Sequence, residues 1–244
     1  MTIKQLKSIV QKEKFHPTIL SFFINNNFLI RKSIRKAIIK NSKHLKGALL
    51  DFGCGTKPYK KLFLNVDNYI GVDYKIEGRE ESQKTVDFFY DGKVIPFKNQ
   101  EFDSILSTEV LEHVFNIEEI LSELNRVLKI NGHALITTPF MWEEHEMPYD
   151  FARYTTPALE YLYQKHGFEI IHNHKTGNQI EVIFQFAINY FKNIIPKFAL
   201  KQLLLVPFIF VFNVLGMIFS FILPTDKTAY FNNVFVLKKI NNLD

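Results

Sequence analysis

At 244 residues, 47% of them hydrophobic and with one cysteine, the chain can bury a substantial core, forms no internal disulfide and fits one α/β domain with additions. Its net charge of +5 is unevenly spread. Residues 1–46 hold eleven Lys/Arg against one acid, residues 47–177 hold thirteen against twenty-one, and residues 178–244 hold six against three. The acidic middle excludes a nucleic-acid groove there and leaves the basic N-terminal segment for anionic lipid or phosphate.

In chain order, the start has lysines at 4, 7, 12 and 14 and no apolar run of a secretory signal behind them. Residues 17–44 predict a helix broken near Asn25–Asn27, with Ile30, Ile34, Ala37 and Ile38 as an apolar stripe among Arg31, Lys32, Arg35, Lys36 and Lys40. Strands follow at Ala48–Phe52, Tyr69–Asp73, Thr85–Phe89, Phe102–Ser107, His133–Thr138 and Phe168–His172. The segment from Lys75 to Lys84 is short and polar for a crossover helix. Ile117, Ile120, Leu121, Leu124, Val127 and Leu128 repeat at helical spacing; Asn116 with Glu119 caps the start and Asn131-Gly132 ends it. A second helix is predicted from Thr156 as N-cap, with Pro157 in its first turn, to His166. Strands alternating with helices predict a parallel sheet covered on both faces.

The run Leu49-Leu50-Asp51-Phe52-Gly53-Cys54-Gly55-Thr56-Lys57-Pro58 ends the first strand in a glycine turn, where backbone can approach a ligand closely. A nicotinamide dinucleotide fingerprint wants a small residue three after the second glycine, and here that residue is Pro58. Asp51 would repel a pyrophosphate but suits the sulfonium and ammonium of S-adenosylmethionine. Asp73 closes the second strand about 20 residues on, placed for ribose hydroxyls; the alternative is a plain strand-end turn residue. Cys54 reads as a small packed residue in the turn.

These phrases, with Asp91-Gly92, Ile95-Pro96-Phe97, Phe102-Asp103, Glu109-Val110-Leu111-Glu112-His113-Val114, Arg126-Val127-Leu128-Lys129 and Thr138-Pro139-Phe140, run in order between Leu49 and Thr156. The stretch resembles class I S-adenosylmethionine-dependent methyltransferases, in particular the branch found among sugar and cell-envelope biosynthesis enzymes. The resemblance implies a Rossmann-like α/β fold with sheet order 3-2-1-4-5-7-6 and an antiparallel strand seven. It implies S-adenosyl-L-methionine as cofactor, an adenine contact from Asp91 (Asp87 second), and cofactor-lining Thr108 and Glu109 alongside Asp51, Gly53, Gly55 and Asp73. Lys57-Pro58 and Ile130-Asn131 depart from the family's usual phrases.

Residues 139–155 follow the fifth strand, where an open α/β sheet faces its ligand crevice. His145 is the candidate catalytic base, ahead of His113, because imidazole titrates near neutrality. Trp142, Arg153 and Tyr154 are candidate substrate contacts; Arg153 has the fork for a carboxylate or phosphate, or it pairs with Asp150 to hold the loop. No metal is expected: His172 and His174 share a strand face but lack a third ligand.

Residues 203–223 carry no charge and as a helix rise roughly 31 Å, about a bilayer's hydrocarbon thickness. Tyr230–Lys238 reads as the last strand, which must rejoin the sheet, so a single crossing is excluded. Monotopic attachment is the leading expectation, ahead of a water-soluble cap or dimer surface and of a spanning hairpin. The expected organisation is a basic helical segment (1–46), a methyltransferase domain (47–177 and 228–240) and a hydrophobic helical insertion (178–227). The expected function is methyl transfer to a small-molecule or lipid-linked saccharide acceptor in the cytoplasm, peripheral on the inner membrane face and without nucleic acid. The alternatives are a non-catalytic membrane-associated scaffold and a nicotinamide-dependent oxidoreductase.

Overall fold

The computed structural model describes residues 13–75, 85–195 and 199–243. Seven strands form one sheet: β1 (Gly47–Phe52), β2 (Val66–Tyr74), β3 (Phe88–Tyr90), β4 (Phe102–Thr108), β5 (Leu128–Pro139), β6 (Phe168–Thr176) and β7 (Asn232–Lys239). Their order is β3-β2-β1-β4-β5-β7-β6, as the resemblance implies. β1 pairs in parallel with β2 and β4, β2 with β3, and β4 with β5. The Phe231 N–H bonds Thr176 O and the Ile240 N–H bonds Gly167 O, so β7 runs antiparallel to β6 and the sheet is mixed.

After one helical turn at Ser21–Ile24, the longer helices are α1 (Phe28–Asn41), α2 (Ile117–Val127), α3 (Thr156–Lys165), α4 (Gln179–Ile194) and α5 (Ala199–Ile222). The break before α1 falls where the asparagines predict it: Asn25 is extended, and its side chain accepts the Asn27 N–H at 2.9 Å. Several strand boundaries differ from expectation, β3 starting at Phe88 instead of Thr85 among them, and so do two helix boundaries. Thr155, not Thr156, caps α3 by accepting the Ala158 N–H, which leaves Pro157 inside the first turn. α2 stops at Val127, and Leu128 already begins β5; Asn131, in the left-handed region at φ 64°, lies in a register shift of that strand instead of closing the helix. Asn116 takes the N-cap position, but its amide donates to Glu119 and to Gly92 O without accepting from the helix. The Lys75–Lys84 segment falls largely outside the described residues.

The chain divides into two compact units. The larger, Ile38–His174 with Asn233–Asp244, contains the sheet core. Leu50, Phe52 and Val72 pack there with Ile105, Ile136, Phe235 and Leu237, and with Ile120, Leu121 and Leu124 of α2. The apolar side of α2 thus covers the central strands, as its spacing requires. The second unit joins residues through Ala37 to Lys175–Asn232. Within it α4 and α5 pack through Ile188, Leu205 and Ile209, and Phe23 stacks on Phe210 with centroids 4.5 Å apart. Leu29 and Phe184 close around Gly216. Ile30, Ile34, Ala37 and Ile38 are all buried, so the stripe of α1 faces protein, while Lys36, Ile39 and Lys40 are exposed.

Candidate functional site

The site lies at the carboxyl ends of β1, β2, β4 and β5, all in the larger unit. Asp51, the penultimate residue of β1, is buried and accepts the Tyr69 hydroxyl at 2.6 Å. Burial pushes its carboxyl up to about 7, against the smaller opposing effects of the Tyr69 bond and Lys57. After Phe52 the chain turns through Gly53 and Gly55, both with positive φ. The two glycines have different reasons. A Cβ on Gly53 would run into Val110, so that glycine is needed for packing. A Cβ on Gly55 would meet nothing within 4 Å, so the turn presents bare backbone to open space. Cys54 is buried between them, and its thiol is pushed far up by burial and then by Asp51, which makes it inert.

Asp73 accepts the Gly55 N–H at 3.0 Å and the Tyr74 N–H at 2.8 Å. These bonds aim the carboxylate at the turn. Asp91 is exposed just past β3 and accepts the Lys93 and Val94 N–H groups, which hold its carboxyl below the usual range. Asp87 is differently employed: one oxygen takes both the Gly71 N–H and Lys57 Nζ. Asp87 is thus bonded to a lysine, while Asp91 bonds backbone N–H groups.

Thr108 ends β4, and Glu109 follows it in the left-handed region at φ 55°. That turn lets Glu109 accept the Thr137 hydroxyl at 2.7 Å from the neighbouring strand. Three residues on, Glu112 is wholly buried, and neither carboxylate oxygen has a hydrogen-bond partner among the described residues. Burial first, then the charge of Glu109, raises its carboxyl well above the usual range.

The loop after β5 brings His145 to this place. Its ring lies edge-on to His113, centroids 4.8 Å apart. His145 Nδ1 sits 3.2 Å from Asp150 and 3.3 Å from Glu143 O. Burial, then His113, lowers the pKa of His145 and so disfavours its charged form. Arg153 grips Asp150 with two bonds of 2.6 and 2.7 Å and also reaches Glu143 O, Ala152 O and Trp142 O. Burial opposes ionisation of Asp150, but this fork and the His145 N–H outweigh it and hold the carboxyl at about 2. Of the two sequence readings of Arg153, the structure realises the loop-holding one. Trp142 lies in the same loop, and Tyr154 packs against the core, its hydroxyl pushed up by burial and by Glu112.

Sequence reasoning brought Asp51, Asp73, Glu109 and His145 to one end of the sheet, but it passed over Glu112 and Tyr69. The signal for Glu112 was an acid flanked by Leu111 and His113 that a helical turn buries. Tyr69 gave no signal, because its pairing depends on register across two strands.

A profile of the family described as "Methyltransferase domain" matches residues 28–173. A protein of Methanocaldococcus jannaschii is 34% identical over 117 residues, 47% of this chain and 54% of that protein. The malonyl-[acyl-carrier protein] O-methyltransferase of Legionella pneumophila is 25% identical over 122 residues, 45% of this chain and 43% of its own length. The chain thus spans about half the length of these curated relatives. In fold it is similar to the [4+2]-cyclase SpnF (TM-score 0.54, 18% identity, 86% of this chain and 82% of that one). It is also similar to phosphoethanolamine N-methyltransferase 2 of Haemonchus contortus, solved with S-adenosyl-L-methionine (TM-score 0.54, 16% identity, 96% and 57%). With more than half of its length under that profile, its sheet in the order 3-2-1-4-5-7-6 and its acids at the strand ends, the chain belongs to the methyltransferase-domain family.

Proposed function

We propose that this protein transfers a methyl group from S-adenosylmethionine to a small-molecule or lipid-linked saccharide acceptor at the cytoplasmic face of a membrane. The observation that carries the cofactor reading is the glycine turn. Gly55 faces open space, while Asp51 and Asp73 approach the turn from two adjacent strands. When bound, S-adenosylmethionine supplies an activated methyl on a cationic sulfur. Asp51 and the bare turn hold the cationic end, Asp73 the ribose hydroxyls and Asp91 the adenine edge, while Thr108 and Glu109 line the path between.

The family's chemistry is a direct displacement, so the protein's part is alignment and removal of the acceptor's proton. His145, its charged form disfavoured by burial and its ring beside His113, serves that deprotonation. Trp142 and Tyr154 border the acceptor, and Arg153 fixes the loop that carries them. The Legionella relative, named for O-methyl transfer, supports an oxygen acceptor.

Attachment to a membrane rests on α5. Leu205–Ile222 is long and apolar enough to cross a bilayer, yet only 22% of it is buried. Val211, Ile218, Phe221 and Ile222 recur at helical spacing and are exposed, Phe221 to 91%. Because β7 must rejoin the sheet after α5, a face lying in the interface accommodates this stripe better than a crossing. Calorimetry with S-adenosylmethionine, followed by a screen of envelope glycan precursors as acceptors, tests the reading. Micromolar binding is expected; a nicotinamide dinucleotide binding more tightly would sink it.

A further inference from the structure

Glu112, His113 and His145 offer one ligand atom each, and these atoms lie within 4.8 Å of one another. The grouping was not foreseen from the sequence, because His145 comes from a different loop. Four features of the three residues point the same way.

Glu112 is a fully buried carboxylate with no hydrogen-bond partner for either oxygen among the described residues. A buried acid in that state calls for a cation or a proton. The near cation, Arg153, already grips Asp150 with both arms of its fork. His113 Nε2 instead lies 3.7 Å from Glu112 Oε1.

Both histidines are held in the tautomer that leaves Nε2 with its lone pair. His113 Nδ1 lies 2.6 Å from the Tyr149 carbonyl, which can only accept, so Nδ1 carries the proton. His145 Nδ1 faces two further acceptors, Asp150 Oδ2 and Glu143 O. Arg153 Nη2 also comes within 3.4 Å of that nitrogen, but it donates to Asp150 at 2.7 Å and to Glu143 O at 3.0 Å. A ring whose far N–H is fastened to a carbonyl or carboxylate is the usual support of a metal-bound histidine.

Two of the three residues follow one another in the turn after β4, and the third is fixed by the Asp150–Arg153 pair. The site is therefore built on anchored backbone. His113 and His145 are partly exposed, so an ion has a route in and positions open to a ligand.

We propose that Glu112, His113 and His145 bind a divalent first-row transition ion, with two imidazoles and one carboxylate as ligands and the remaining positions facing the acceptor. Two nitrogens and one hard oxygen suit zinc, cobalt, manganese or iron(II). The role of the ion rests on the methyltransferase reading. A hydroxyl brought to an open position ionises nearer neutrality, and its proton leaves to water. The oxygen then takes the methyl while the electron pair of the S–C bond stays on sulfur. His145 thus serves deprotonation as a ligand.

The test uses the untagged full chain, stripped with chelator and titrated with cobalt(II). Visible absorption reads the ligand field, and zinc competition reads affinity. One ion per chain is expected, displaced by zinc. Glu112→Gln and His145→Ala should each weaken cobalt binding by more than the ~10–100-fold that losing an outer partner costs. His172→Ala, on β6, should change nothing. Calorimetry with S-adenosylhomocysteine accompanies every variant; cofactor affinity equal to wild type shows that the fold survives. Should Glu112→Gln not fold, the partly exposed His145→Ala still decides. A wild type without saturable cobalt binding below millimolar concentration overturns the proposal. So does binding undiminished in His145→Ala and in a folded Glu112→Gln. Cobalt binding without any binding of the adenosyl compound sinks the methyltransferase reading and leaves the metal site standing.

Discussion

Tyr69 and Asp51 meet at 2.6 Å between adjacent strands: Leu49 pairs with Tyr69 and Asp51 with Gly71, so the phenol reaches diagonally to the acid two residues along. The bond gives a buried carboxyl a donor without giving it a cation. Asp51 therefore remains responsive both to pH and to a cationic ligand.

The folded protein holds a proton on Asp51 up to about pH 7, whereas an ordinary aspartate releases it near 3.8. Between those values the fold binds the extra proton, so stability falls as pH rises through the window. The full difference is about 4 kcal/mol at 1.36 kcal/mol per unit. Asp51→Asn keeps an acceptor for Tyr69 and removes the charge. Thermal melts at pH 5 and pH 8 should show a smaller loss of stability for the variant than for wild type. Equal losses would return Asp51 to an ordinary carboxylate. In wild type, affinity for S-adenosylmethionine should weaken as pH falls below about 7, where the acid that faces the cation takes up its proton.

Asp73→Ala should weaken S-adenosylmethionine binding at least tenfold, or ~1.4 kcal/mol. Part of that loss comes through the turn, because the same carboxylate holds the Gly55 N–H. Comparing adenosine with the full cofactor separates the two: a ribose contact weakens both ligands equally. Unchanged titration curves would remove Asp73 from the site.

How legible this site was depends on whether its parts are local in sequence. The strand, the glycine turn and the acid ending β2 all lie within Leu49–Asp73, and the turn was read from that stretch alone. The sheet order came through resemblance, since periodicity does not say which strands pair. The side chain of α2 was assigned correctly to the core, but its end was placed too late. The Leu128 that completes its apolar spacing is already strand, and an apolar residue satisfies either period. The apolar spacing of α1 reveals a face without saying what covers it, and in the structure protein does.

His145→Ala should lower turnover by ~10²-fold or more and leave cofactor affinity nearly unchanged. Single-turnover kinetics with an identified acceptor makes the measurement. Full activity would reduce His145 to a support of the loop.

Arg153→Lys keeps the charge and loses the two-armed grip on Asp150. Breaking a fully buried pair costs about 3–5 kcal/mol. Here the arginine is partly exposed, so a loss of about 2 kcal/mol is expected in denaturant unfolding. The variant should also raise the acceptor's KM, as the 142–154 loop loosens. A KM equal to wild type would show that the grip does not position that loop.

Sedimentation with vesicles tests α5. Wild type should pellet with them, and Phe221→Ser with Ile222→Ser should shift protein to the supernatant. Charge on α1 should make pelleting stronger with anionic lipid and weaker in salt. A wild type that stays in the supernatant with every lipid mixture ends the membrane reading.

The last strand in sequence occupies an interior place in the sheet, between β5 and β6. Synthesis therefore delivers both flanking strands long before the one that joins them, with the apolar α4 and α5 emerging in between. A nascent chain that has reached the end of α5 presents unpaired strand edges on β5 and β6 and a long greasy helix at once. Only the arrival of Val234, Phe235, Val236 and Leu237, all buried, closes the gap. Such a chain has reason to engage a chaperone or a bilayer during translation, before it has any finished surface to offer.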